Sequence, residues 1–67
     1  MRHDELLGLV CKELEGVPVI LESSNVGVIA FVLQPDKQWF RCSFDYTLSP
    51  AEVRMNCALL EDVANAK

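Results

Sequence analysis

The chain has 67 residues, which allows one domain, and a chain of about this size hides only about 60% of the surface its unfolded form exposes. Hydrophobic residues make up 51% and mean hydropathy is +0.19; this excludes intrinsic disorder and exceeds what one small core readily hides. The net charge is −4, and the six basic residues (Arg2, Lys12, Lys37, Arg41, Arg54, Lys67) are scattered singly, so no basic stripe can neutralise phosphates or hold the chain on an anionic membrane.

The first element is predicted to be a helix over Asp4 to Glu15. Leu6, Val10 and Leu14 recur every four residues, with Leu7 and Cys11 beside them. Asp4 is the expected cap, and Gly16 stands where a left-handed terminating residue is wanted. Gly8 weakens the helix by about 1 kcal/mol relative to alanine, and its missing side chain offers room for a close neighbour.

Pro18 forces Val17 into an extended conformation and marks Val19 to Glu22 as an edge strand. Ser23-Ser24-Asn25 turns the chain. Val26 to Leu33, apolar at every second position on both faces with only Gly27 interrupting, reads as a central strand. Gln34 to Gln38 is a loop, with Pro35-Asp36 suited to a type I turn. The third strand, Trp39 to Tyr46, alternates: Phe40, Cys42, Phe44 and Tyr46 point to the helices, while Trp39, Arg41, Ser43 and Asp45 point away.

The final helix carries the strongest local signal. Ser49 caps it, Pro50 takes the first helical position and Glu52 completes a capping box, with Leu48 and Val53 as a hydrophobic staple. It is expected to run to about Asn65. The fold class is therefore α+β: a two-layer α-β-β-β-α sandwich with a three-stranded antiparallel meander and strand 2 in the middle.

Two apolar surfaces are left over. If the loop pairs Leu33 with Trp39, then Phe31 lies opposite Arg41, and the outer sheet face holds Ile29, Phe31, Leu33 and Trp39. A register one residue different exposes Val28, Ala30 and Val32 instead. On the last helix, Val53, Cys57, Leu60 and Ala64 form a stripe for the sheet, and Met55, Leu59 and Val63 extend it to nearly half the circumference. A surface helix needs an apolar arc only somewhat above 100°. The competing arrangement, one helix on each sheet face, would leave nothing over. The candidate interface residues are Phe31, Leu33, Trp39, Arg41, Met55 and Leu59, with an exposed tryptophan beside an arginine matching the composition of binding hot spots.

Other chemistry finds little purchase. Cys11, Cys42 and Cys57 are odd in number and form no CxxC pair. With no signal peptide, they read as three reduced, buried thiols of a cytoplasmic protein. The longest apolar run, Val28 to Leu33, is far short of a membrane span. The lone histidine, His3, reads as a frayed terminal residue. Its spacing to the cysteines (8, 31 and 15 residues in succession) matches no common zinc knuckle. Glu13/Glu15 and Glu61/Asp62 read as solvated faces, and no Gly-rich loop cradles a phosphate. The expectation is no catalytic residue, metal, cofactor or small-molecule substrate.

The α-β-β-β-α order is similar to that of double-stranded-RNA-binding domains. That resemblance implies lysines at the start of the last helix, whereas Ser49-Pro50-Ala51-Glu52 stands there with Arg54 the only base nearby. The order and acidity also resemble the opening half of type III secretion chaperones, which are acidic homodimers. No motif accompanies either resemblance. The expectation is a non-enzymatic, homodimeric regulator, inhibitor or assembly factor that binds another protein. Chains this short are frequent among phage and mobile-element accessory proteins. The alternative is a nucleic-acid-binding regulator in which dimerisation concentrates Arg41 and Arg54.

Overall fold

The computed structural model describes residues 1–66. The elements are α1 (His3–Glu13), β1 (Val19–Ser23), β2 (Gly27–Leu33), β3 (Trp39–Asp45) and α2 (Pro50–Asn65). The strands form one antiparallel sheet in the order β1-β2-β3, as the short connections require. This is the α-β-β-β-α sandwich expected from the sequence.

The register is the one with Leu33 opposite Trp39. Phe31 lies between Ile20 and Arg41, and Ile29 between Glu22 and Ser43. Val28, Ala30 and Val32 therefore face the helices and are fully buried. They join Phe44 of β3, Leu6, Val10 and Leu14 from the α1 segment, and Val53, Cys57 and Leu60 of α2 in one core cluster. Both helices contribute to that cluster, so both lie on the same sheet face, and they pack against each other as well. The small side chains of β2 suit this arrangement, because Ala30 between Leu21 and Cys42 lets two helices approach the middle of the sheet closely.

The loops explain the register. Between β2 and β3, the Gln34 amide donates to the Gln38 carbonyl at 2.8 Å and the Lys37 amide to the Gln34 carbonyl at 3.0 Å. Lys37 adopts φ 72° in the left-handed region, and Asp36 Oδ1 accepts from the Gln38 amide at 3.0 Å. A turn followed by a left-handed residue is a common way to close a three-residue hairpin loop. At the other end of β2, Gly27 lies so close to β3 that a Cβ would overlap the Phe44 carbonyl oxygen.

At α2 the capping box forms as expected. The Ser49 hydroxyl accepts from the Glu52 amide at 3.2 Å, and Glu52 Oε1 accepts from the Ser49 amide at 3.1 Å. Gly16, at φ 83°, adopts the left-handed conformation two residues past the Leu14 C-cap, in a turn that the Val17 amide closes by donating to the Leu14 carbonyl at 3.0 Å.

Several expectations are corrected. The N-cap of α1 is Arg2, not Asp4, and no side chain caps it; Asp4 Oδ1 instead accepts from the neighbouring Glu5 amide at 3.0 Å. Gly8 admits no neighbour, since nothing lies within 4 Å of where its Cβ would be. Cys11 is exposed rather than buried, because the α1 stripe is the narrower Leu6, Val10, Leu14 line and Cys11 falls outside it. Phe40 has the parity of the helix-facing residues but remains 42% exposed, at the end of an edge strand that the helices do not fully cover. His3 is not frayed: Nδ1 lies 2.9 Å from the Tyr46 hydroxyl, and Nε2 lies 3.3 Å from the Ser23 hydroxyl.

Candidate functional site

With both helices on one side, the other side of the sheet carries no element of this chain. Its rows follow from the register: Leu33 beside Trp39, Ile20 beside Phe31 beside Arg41, and Glu22 beside Ile29 beside Ser43. Ile20, Glu22, Phe31 and Trp39 line a shallow depression of about 360 Å³. Trp39 is 50% exposed, and Ile20 is exposed as well. Glu22 and Arg41 place opposite charges around an apolar centre. That distribution, aromatic and aliphatic in the middle with polar groups at the rim, is how protein-binding patches are built.

The side-chain sizes sharpen the point. β2 buries valine, alanine and valine under the helices and turns isoleucine, phenylalanine and leucine to the open side. A sheet face that meets only water ordinarily alternates with polar residues. Here the larger apolar set faces outward.

A second surface lies on α2. Met55 is 64% and Leu59 59% exposed, one helical turn apart. Their direction is fixed by an ion pair. Arg54 Nε lies 3.6 Å from Glu13 Oε1, so the Arg54 flank of α2 faces α1. At 100° per residue, Leu59 and Val63 fall on the opposite flank, and Met55 adjoins them. α2 also packs on β3. Leu59 and Val63 therefore lean to the flank of α2 away from α1, whereas Met55, nearly opposite the buried Val53 and Cys57, points away from the sheet.

The six candidate residues thus divide into two groups. Phe31, Leu33, Trp39 and Arg41 share the open sheet face, whereas Met55 and Leu59 belong to the helix layer. The sequence reading passed over Ile20 and Phe40. Ile20 could have been found by parity, since the strand pairing places it on the Phe31 row. Phe40 could not, because alternation reports which face a residue takes and not how far the helices extend over it.

The titratable groups occupy structural positions. His3 bridges Ser23 and Tyr46 and so ties the start of α1 to the end of β1 and to the residue just after β3; its ring also meets Tyr46 edge-on, with centroids 6.1 Å apart. The Met1 ammonium donates to the Tyr46 carbonyl at the same corner. Glu13 is engaged with Arg54. Burial, reinforced by the carboxylate of Glu13, pushes the Cys57 thiol up to about 11, and burial also raises Cys42. Both are held as neutral thiols, unlike activated nucleophiles, whose pKa is depressed. The Thr47 amide, donating to Asp45 Oδ1 at 2.8 Å, lowers the Asp45 pKa. Among the described residues, no group of three or more histidine, cysteine, aspartate or glutamate side chains is gathered as a metal site needs. No described helix is long and apolar enough to cross a membrane.

No protein-family model, curated protein or solved structure matches this chain. The functional reading therefore rests on the surfaces themselves.

Proposed function

We propose that the protein is a non-enzymatic interaction module that self-associates and acts as a regulator, inhibitor or assembly factor by binding another protein through its helix-free sheet face. The observation that carries this reading is the outward set of β2, Ile29, Phe31 and Leu33, with Trp39 half-exposed beside it. Burying a large aromatic side chain at the centre of a patch can dominate the energy of an interface. Arg41 adds a charge and a set of donors to the same face. The nucleic-acid alternative gains nothing from the geometry. Within one chain Arg41 lies on the open sheet face and Arg54 lies in the helix layer paired with Glu13, so a common basic surface would need a second copy to supply it.

The test combines association state with a single variant. Sedimentation equilibrium is expected to show a dimer at micromolar concentration. Trp39→Ala is expected to keep the far-UV circular dichroism of the parent and to lose the protein partners that the parent captures from its native host. A stable 7.5 kDa monomer at high concentration overturns the self-association. An unfolded Trp39→Ala protein overturns the assignment of Trp39 to a binding face.

A further inference from the structure

The two outer strands of the sheet are not equivalent. The Leu33 amide donates to the Pro18 carbonyl and the Ser24 amide to the Gly27 carbonyl, so β1 is tied to the odd-numbered positions of β2. On the other side, the Gln34 amide donates to the Gln38 carbonyl and the Tyr46 amide to the Val26 carbonyl. With the continuous register between these bonds, the even-numbered residues of β3 pair with β2, and the amides of Trp39, Arg41, Ser43 and Asp45 point away from the sheet. β1 is a short edge entered through Pro18. β3 is seven residues long, has no proline and keeps regular pairing throughout, so of the usual devices that stop an edge from acquiring another strand it carries only charge, and its two charges, Arg41 and Asp45, are of opposite sign.

We propose that β3 pairs antiparallel with β3 of a second copy of this chain, about a two-fold axis at Ser43. This inference rests on the self-association proposed above and specifies its geometry. Three observations favour a second copy as the occupant. The first is charge. A two-fold axis at Arg41 would set two guanidinium groups opposite each other, whereas an axis at Ser43 sets each Arg41 opposite the other copy's Asp45, twice over by symmetry. Opposite charges directly across an antiparallel pair stabilise it, and like charges destabilise it. Among the described residues Arg41 has no ion-pair partner within its own chain, and Asp45 uses Oδ1 toward Thr47, which leaves Oδ2 for the guanidinium.

The second observation is the helix above that edge. A seven-residue strand edge is narrow beside the roughly 800 Å² per partner that a stable interface buries. Leu59 and Val63 lean to the flank of α2 away from α1, and α2 packs on β3, so joining the two edges brings these two flanks toward each other over one six-stranded sheet. The third is Phe40, which is left 42% exposed at the same edge. In this register it lies opposite Tyr46 of the other copy on the helix side, an aromatic cross-strand pair. Leu59 and Phe40 are thereby used, and the open faces around Phe31 become one surface spanning two protomers.

The test is a charge exchange. Arg41→Asp and Asp45→Arg are each expected to raise the dimer dissociation constant about tenfold or more, since each sets like charges opposite each other twice per dimer. The double variant is expected to restore most of the loss, because exchanging both residues re-creates the opposite pairs. A second measurement does not depend on Asp45, whose bond to Thr47 supports the turn. In a Cys11→Ser background, Ser43→Cys is expected to form a disulfide-linked dimer on mild oxidation. Directly opposite residues in a hydrogen-bonded pair have Cα atoms about 5.5 Å apart, within disulfide reach. A dimer in which the double variant is not restored and Ser43→Cys does not cross-link overturns the β3 pairing while leaving self-association standing. A parent chain that is monomeric throughout overturns both.

Discussion

The two faces of β2 have nearly the same hydrophobic character and opposite surroundings. Val28, Ala30 and Val32 are sealed beneath two helices, while Ile29, Phe31 and Leu33, larger in every pairing along the strand, are only half covered. Small residues on the covered side let helices close onto the sheet. Large residues on the open side are partly covered within the chain and keep apolar area that a complex could still bury. Side-chain size, not polarity, separates the structural face from the one available for binding.

The most damaging way to break this comparison is to separate β2 from β3. Gly27→Ala places a Cβ against the Phe44 carbonyl, where only backbone movement can relieve the overlap. A loss of about 3 kcal/mol or more is expected, enough to unfold a marginal domain, and urea denaturation measures it.

A finer test sets one face against the other. Val32→Ala opens a cavity under the helices and should cost about 2 kcal/mol in the same denaturation experiment. Phe31→Ala, although it removes more atoms, should cost the monomer less, with its main effect on partner binding. Equal losses of monomer stability would mean that the open face is part of the fold's own core.

The covered side also has a pH signature. The Cys57 thiol has a folded pKa of about 11 against an ordinary 9.0, chiefly because burial disfavours the thiolate. Because the folded pKa is raised, the stabilisation is fully present below pH 9, and it is lost as pH rises toward 11. The loss should be on the order of 2 kcal/mol, and Cys57→Ala should flatten that part of the curve even if it lowers stability overall. Cys11, exposed on α1, should be alkylated in the folded protein well before Cys57.

Much of this arrangement was legible in local pattern. The capping box at Ser49 to Glu52 marks the start of α2 because every group it needs lies within four residues. The alternation of β3 correctly separates Trp39 and Arg41 from Phe44, since strand parity is a property of the backbone alone. Leu6, Val10 and Leu14 name the buried line of α1. The division of the apolar surplus into a sheet face and an α2 face was legible too, though not which way α2 is turned, which the Arg54–Glu13 pair fixes.

By itself, the sequence determined the order of elements, the helix boundaries to within a residue or two, and the surplus of apolar side chains. Each follows from short-range periodicity, from capping or from composition. Only the tertiary structure decided which face of β2 is covered, because both faces are apolar and the choice depends on a register set by the Gln34–Gln38 loop. Only it decided that both helices share that face, leaving Phe31 and Trp39 open, and that Cys11 lies outside the core. Only it showed that His3 joins Ser23 and Tyr46, residues 20 and 43 positions away, since no pattern along the chain encodes a contact made across three elements.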